Sequence, residues 1–198
     1  MKKTVNLSFA VISLMVFFAA MSRLLPHPPN FAPIGGMALF GAAYYSKRYW
    51  AFLIPIVSMW ISDLVLNNVV YARYFDGFVW FYSGSLFTCG AFVLIALLGL
   101  WTLRKVRIPA LLLSTVAASA LFFAVSNFGV WWSAGMYPHT ASGLWACYVA
   151  GLPFFRNTLG GDLVYTALLF GVFEWSVRRF PALRPHPVPA SDYLKAVR

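Results

Sequence analysis

Two carboxylates, Asp63 and Asp162, stand inside long apolar stretches of this chain. A charged group there costs several kcal/mol unless it is paired or wetted. Each has polar company at helical spacing: Asn67 falls one turn beyond Asp63, and Thr166 one turn beyond Asp162. Arg156 and Asn157 lie just before Asp162, Ser126 and Asn127 close another apolar run, and Tyr82, Ser85 and Cys89 recur at i, i+3 and i+7. Such groups, gathered away from bulk water, do one of two things. They lock onto cations, here Arg23, Arg73 or Arg156, or they line a polar cavity that binds a solute. The two are compatible, because a binding site needs fixed partners. A third use is an intramembrane enzyme with Asp63 and Asp162 as its carboxylate pair, or an assembly factor built around them.

Other chemistry lacks its residues. There is no Gly-x-x-x-x-Gly-Lys phosphate loop, so hydrolysis of ATP by this chain is not expected. No His-Glu-x-x-His or paired-His zinc pattern occurs, and Cys89 and Cys147 show no metal-binding spacing. Gly84-Ser85 lacks a histidine on a neighbouring apolar stretch, since His27, His139 and His186 all fall between or beyond such stretches. No resident cofactor is expected, and the chain reads as a binding protein rather than an enzyme. The net charge of +10 sits in short clusters between apolar runs, which argues against a nucleic-acid partner.

The elements that must position these groups follow from composition. Of 198 residues, 61% are hydrophobic and 10% charged, against about 25% charged in a soluble domain. The natural solvent is a lipid bilayer. About 20 apolar residues cross its hydrocarbon core, and residues 5–22, 50–70, 78–101, 108–130 and 159–177 meet that test. Residues 31–45 form a shorter stretch, rich in Gly35, Gly36, Gly41, Ala38 and Ala42, that suits a span buried among other helices. Residues 5–21 imitate a secretory signal but are read as an uncleaved first span. The expected fold is therefore all-α, a bundle of six transmembrane helices over residues 1–180, with a cytoplasmic Pro-rich tail over 181–198.

Charge sets the orientation. Six spans with both termini cytoplasmic put Lys2, Lys3, Lys47, Arg48, Arg104, Lys105, Arg107, Arg178, Arg179, Arg184, Lys195 and Arg198 inside, and Arg23, Arg73 and Arg156 outside, 12 against 3. If residues 31–45 re-enter instead, five spans with an outer N-terminus score 11 against 4. Both arrangements orient the last four spans alike, and both bring the polar side chains of four helices to one level near the outer face. Glu174, nearer the cytoplasm, is expected to pair with Arg178 at i+4. Tyr71, Tyr74, Phe75, Trp80, Trp131, Trp132, Tyr137 and Trp145 also fall outside. At least half of them are an interfacial belt, and the excess suits a pocket for a flat or ring-bearing ligand. The stretch 131–157 is long for a connection and is expected to be a lid, with 143–155 as a half-helix over the bundle.

Several stretches are distinctive together: Arg-Leu-Leu-Pro-His-Pro-Pro-Asn-Phe-Ala-Pro-Ile-Gly-Gly-Met-Ala-Leu-Phe-Gly from Arg23 to Gly41, Ser62-Asp63-Leu64, Ser126-Asn127-Phe128-Gly129-Val130-Trp131, and Phe154-Phe155-Arg156-Asn157-Thr158-Leu159-Gly160-Gly161-Asp162-Leu163. Over roughly residues 20–175 the chain resembles a family of uncharacterised bacterial membrane proteins described as transport proteins. In layout it is similar, more distantly, to the substrate-binding S components of energy-coupling-factor (ECF) vitamin transporters, an analogy of architecture. The resemblance implies uptake of a vitamin-like micronutrient across the bacterial inner membrane, with cobalamin as first candidate, from an outward-facing pocket. Its polar contacts would come from Asp63, Asn67, Arg73, Tyr82, Ser85, Cys89, Asn127, Tyr137, Arg156, Asn157 and Asp162. It also implies an ECF-type energising module as partner, but Ala10, Ala19 and Ala20 do not give the Ala-x-x-x-Ala spacing that often serves such docking. Solitary cobalamin-binding S components work without the module and contact cobalt through a cysteine; Cys89 would take that part if the ligand were a corrinoid.

Overall fold

The computed structural model describes residues 7–184, and among them the fold is all-helical. Six helices follow in order: α1 (Leu7–Met21), α2 (Ile34–Tyr44), α3 (Arg48–Val65), α4 (Ser85–Thr102), α5 (Ile108–Ser133) and α6 (Ala141–Arg179). Four helical segments, Leu7–Leu24, Arg48–Val70, Ser85–Thr102 and Ile108–Ser133, are long and apolar enough to cross a membrane. Leu14, Phe18, Leu53, Leu97, Leu113 and Leu168 stand exposed on the outside. Apolar groups on that scale would be a liability in water and are the ordinary outer surface of a protein solvated by lipid. Lys2, Lys3, Lys195, Arg198 and the Pro-rich tail from Pro185 onward lie outside the described residues.

The short helix α2 is the axis of the bundle. Ten of its 11 residues are buried, and it touches all five other helices. At 1.5 Å per residue it is about 16 Å long, so other helices must cover its flanks and ends. Close approach is what its small residues permit: a Cβ on Gly99 of α4 would fall 2.7 Å from the Cβ of Ala42. Phe40 is fully buried, in edge contact with Phe170 and Phe173 of α6.

Contacts along the helices fix their directions. Tyr45, just past α2, stacks near Phe9 and hydrogen-bonds Ser13 at 3.0 Å, while Ser22 at the far end of α1 bonds Tyr165, which Gly36 also meets. The first two helices are therefore antiparallel. Trp50 returns to Phe9 and Asp63 to Arg23, so α3 runs back. Gly99 meets Ala42, and Thr102 accepts a hydrogen bond from Ser114. At the opposite end of the α4–α5 pair, Phe87 fills the space beside Gly129. Tyr44 donates to Glu174, bringing the last turns of α6 to the Phe9 end, and the 3-10 turn Pro181–Leu183 touches α1. Thus the six helices alternate in direction, and both described chain ends lie at one end of the bundle. That end also carries Lys47, Arg48, Arg104, Lys105 and Arg107, and we call it the basic end.

The expected boundaries need three corrections. The span expected at 78–101 begins at Ser85, because residues 78–82 form an irregular loop with bends at 80 and 81, and Gly84 turns through φ +91° just before the helix. The lid expected over 131–157 does not exist as a loop. Helix α5 continues to Ser133, α6 starts at Ala141 under a Thr140 cap that accepts from Gly143 N, and only residues 134–140 connect them. The half-helix expected at 143–155 and the span expected at 159–177 are one helix of 39 residues, about 58 Å long. Pro153, Arg156 and Asn157 interrupt its hydropathy and leave its backbone helical. Packing on α5 holds that region: Tyr148 donates to Ala124 O at 2.6 Å, and Phe123 contacts the rings of Tyr148 and Phe155. Finally, Glu174 finds Tyr44 on another helix and not Arg178.

Candidate functional site

Asp162 is fully buried, and its environment is complete. Oδ1 accepts from Gly35 N at 2.7 Å and Gly36 N at 3.3 Å, the opening amides of α2, while Oδ2 accepts from Ser119 Oγ at 2.7 Å. A carboxylate at a helix N-terminus satisfies orphan donors and complements the helix dipole. Here it does so from a neighbouring helix, and it works only because residue 35 is glycine. A Cβ there would lie 2.6 Å from Asp162 Oδ2. The sequence placed Asp162 in a solute site; the structure makes it the clamp on the central helix.

Asp63 has a different setting. Arg23, in the 3-10 turn after α1, reaches across to it with Nη1 at 2.7 Å from Oδ1. The same Nη1 lies 2.7 Å from Ser62 Oγ and 3.3 Å from Met59 Sδ. This is the ion pair formed among the described residues, and both side chains retain 16% exposure. It lies at the end opposite the basic end and stands between two hollows.

The first hollow, about 340 Å³, opens between α3 and α4. Asp63, Trp60 and Met59 line it from α3; Trp80, Phe81 and Tyr82 from the loop before α4; and Ser85, Thr88 and Cys89 from α4 itself. The second hollow, about 410 Å³, is lined by Arg23, His27, Asn30, Tyr71, Tyr82 and Thr88 among others. Met59, Tyr82 and Thr88 belong to both walls. The ion pair thus spans the two: Asp63 is among the residues that line the first hollow and Arg23 among those that line the second.

Both walls are held in place by side chains anchored to backbone. Asn68 grips the loop before α4 with a two-way bond, Nδ2 to Val79 O at 2.9 Å and Val79 N to its Oδ1 at 2.6 Å. Trp60 Nε1 donates to Trp80 O at 3.1 Å, and Tyr82 Oη bonds Thr88 Oγ1 at 2.7 Å. On the other side the connection from α1 to α2 closes a turn through Phe31 N to Pro28 O, with Asn30 at φ 62°. Asparagine is among the few non-glycine residues that adopt this left-handed geometry readily. His27 lies between Pro28 O and Arg23 O, and Asn157 Nδ2 ties Pro29 O to α6 at 2.9 Å.

A sequence profile described as a family of unknown function (DUF6580) matches residues 3–183. The chain belongs to this family. Neither a curated protein nor a solved structure matches it. In this DUF6580 chain the match embraces all six helices, so bundle and hollows both fall inside the family's extent.

Of the residues expected in one site, the structure gathers Asp63, Tyr82, Ser85 and Cys89 around the first hollow. The rest go elsewhere. Asn127 donates to Phe123 O and packs against Gly151 at the α5–α6 contact. Arg73 bonds Tyr74 Oη and lies 4.8 Å from its ring centroid. Tyr137 sits in the short connection before α6, Arg156 is exposed on α6, and Asn157 acts through the loop that it ties down. Asp162 lines neither hollow; its oxygens take the Gly35, Gly36 and Ser119 donors while Asp63 pairs with Arg23. Asn67 also lines neither, and its neighbour Asn68 takes the positioning role. The cause is the π turn Leu66–Val70 at the end of α3: an extra residue in a turn shifts the face that α-helical spacing would assign. Arg23 was among the cations expected to lock a carboxylate, and it is the one that pairs with Asp63; His27, Asn30, Trp60, Asn68 and Thr88 were outside the expected site, and their only signal was a proline-bounded loop and a tryptophan one turn before Asp63. No group of three or more His, Cys, Asp and Glu side chains able to hold a metal occurs among the described residues.

Proposed function

We propose that this protein captures a small solute at the outer face of the bacterial inner membrane and passes it inward. The alternating helices then serve as six spans, with the basic end and both termini in the cytoplasm by the positive-inside rule. α2 is a short inner span whose polar N-terminus is satisfied by Asp162, as a helix end away from water must be. One observation carries the reading: the Arg23–Asp63 pair stands at the end opposite the basic end, between two hollows whose walls are fixed by hydrogen bonds to backbone. Pockets of about 300–1,000 Å³ with apolar walls and a few placed polar groups are the usual form of small-molecule sites.

The two volumes suit a ring-bearing solute of modest size. A corrinoid exceeds either, so the cobalamin expectation gives way to a smaller micronutrient, and Cys89 serves as a wall residue in place of a cobalt ligand. Energy for release comes from outside this chain, whether from an ECF-type module or from the solute's own gradient.

Purification into lipid nanodiscs followed by native mass spectrometry tests the reading. A bound small molecule is expected, and Arg23→Gln or Asp63→Asn should lose it. A preparation with no bound molecule, from cells whose deletion strain shows no uptake defect, would remove the proposal.

A further inference from the structure

The hollow between α3 and α4 has a wall chemistry that identifies a ligand class. Asp63 is its one charged lining residue, and no lysine or arginine faces it. Arg23 lines the other hollow. Arg23 engages Oδ1, and among the described residues no hydrogen-bond partner reaches Oδ2. Four aromatic side chains line the same hollow as Asp63. The rings of Trp60 and Trp80 lie within 18° of parallel with centroids 6.5 Å apart, and Trp60 and Phe81 within 27° at 6.2 Å. Tyr82 completes the set, with its hydroxyl held by Thr88. Aromatic faces carry negative potential and attract cations, tryptophan most strongly. Aromatic rings around an acidic group are complementary to a cation with an apolar body and repel an anion. The loop that supplies three of the four rings is pinned by Asn68 and Trp60, so ordering it costs little at the moment of binding.

We propose that this hollow binds an organic cation, a quaternary or protonated amine with an apolar ring-bearing body, with its charge between Asp63 Oδ2 and the faces of Trp60, Trp80, Phe81 and Tyr82. The proposal rests on the solute-capture reading and names the solute's charge. Trp80 is a discriminating member of the set. The residue is 60% exposed while its backbone oxygen takes the Trp60 hydrogen bond, so Trp80→Leu removes a ring and leaves the loop's anchor.

The test uses the full chain in nanodiscs, with empty nanodiscs subtracted. Three probes of matched shape are titrated by calorimetry and tryptophan fluorescence: benzyltrimethylammonium, its uncharged carbon isostere neopentylbenzene, and the anion phenylacetate. The cation is expected to bind at least about tenfold more tightly than the other two. Asp63→Asn and Trp80→Leu should each weaken it by about tenfold, and the second variant reports even if the first fails to fold. Equal binding of cation and isostere would overturn the charge assignment and leave an apolar groove, with solute capture resting on the other hollow. Preferred binding of phenylacetate would overturn it in favour of Arg23 as the reader, again without harm to the capture reading. If no probe binds and no solute co-purifies, both proposals fall.

Discussion

Asp162 and Asp63 show how differently two carboxylates are used in one apolar chain. Removing the Asp162 side chain leaves the Gly35 and Gly36 amides and the Ser119 hydroxyl without their acceptor in a place water does not reach. Each buried orphan costs about 1–3 kcal/mol, so with three of them Asp162→Ala should destabilise the bundle by roughly 3–9 kcal/mol in detergent unfolding. Asp162→Asn keeps an acceptor oxygen and should recover much of that. Gly35→Ala, whose Cβ would collide with the same carboxylate, should resemble Asp162→Ala. The ion pair behaves otherwise, because both partners keep some contact with solvent. Arg23→Gln, Asp63→Asn and the double variant should give a coupling of about 1–2 kcal/mol, between the values of exposed and buried pairs. The cysteines offer a simpler check. Cys89 lines a hollow whereas Cys147 is 2% exposed, with Sγ directed to Asn127 O, so a small apolar thiol reagent should label Cys89 first in peptide mapping.

At the scale of elements, the loop from Phe78 to Tyr82 is the part that a ligand would meet, and one amide side chain makes two of the hydrogen bonds that hold it. Asn68→Ala removes both bonds to Val79. Hydrogen exchange at the Val79 amide should then rise sharply and solute binding weaken, while Asn67→Ala should alter neither. A match between the two variants would mean that the π turn does not set the register as described. The long helix α6 makes the complementary point. Its N-terminal turns pack on α5 through Gly151, where an added Cβ would collide with the Asn127 side chain. Gly151→Leu should therefore splay these two helices and lower the melting temperature with the hollows' linings left intact.

At the scale of the molecule, alternation of six helices places the α2–α3 and α4–α5 connections at one end and the α3–α4 and α5–α6 connections at the other. In a cysteine-free background, a membrane-impermeant maleimide should label Asp76→Cys in intact cells and Lys105→Cys only after permeabilisation. The reverse pattern would invert the topology and place both hollows in the cytoplasm. Because α2 touches every other helix, damage to it should propagate, and the Asp162 variants are expected to unfold the bundle in one transition.

The sequence by itself determined the solvent, the helical class and the grouping of positive charge, because each depends on composition and on lengths that a bilayer imposes. It also marked Asp63, Tyr82, Ser85 and Cys89 as companions: Ser85 and Cys89 share a face of α4, and Tyr82 joins them from the loop just before that helix. Helix continuity through Pro153 was hidden, because hydropathy reports side chains while helix packing preserved the backbone. Asn68 was hidden by a π turn that shifts helical spacing by one residue. The division of labour between the carboxylates had no local signal at all: Asp162 acts on amides 126 and 127 residues away, and Arg23 meets Asp63 across 40. Only the tertiary structure decides such pairings, because partners for a buried charge are chosen by three-dimensional approach and not by distance along the chain.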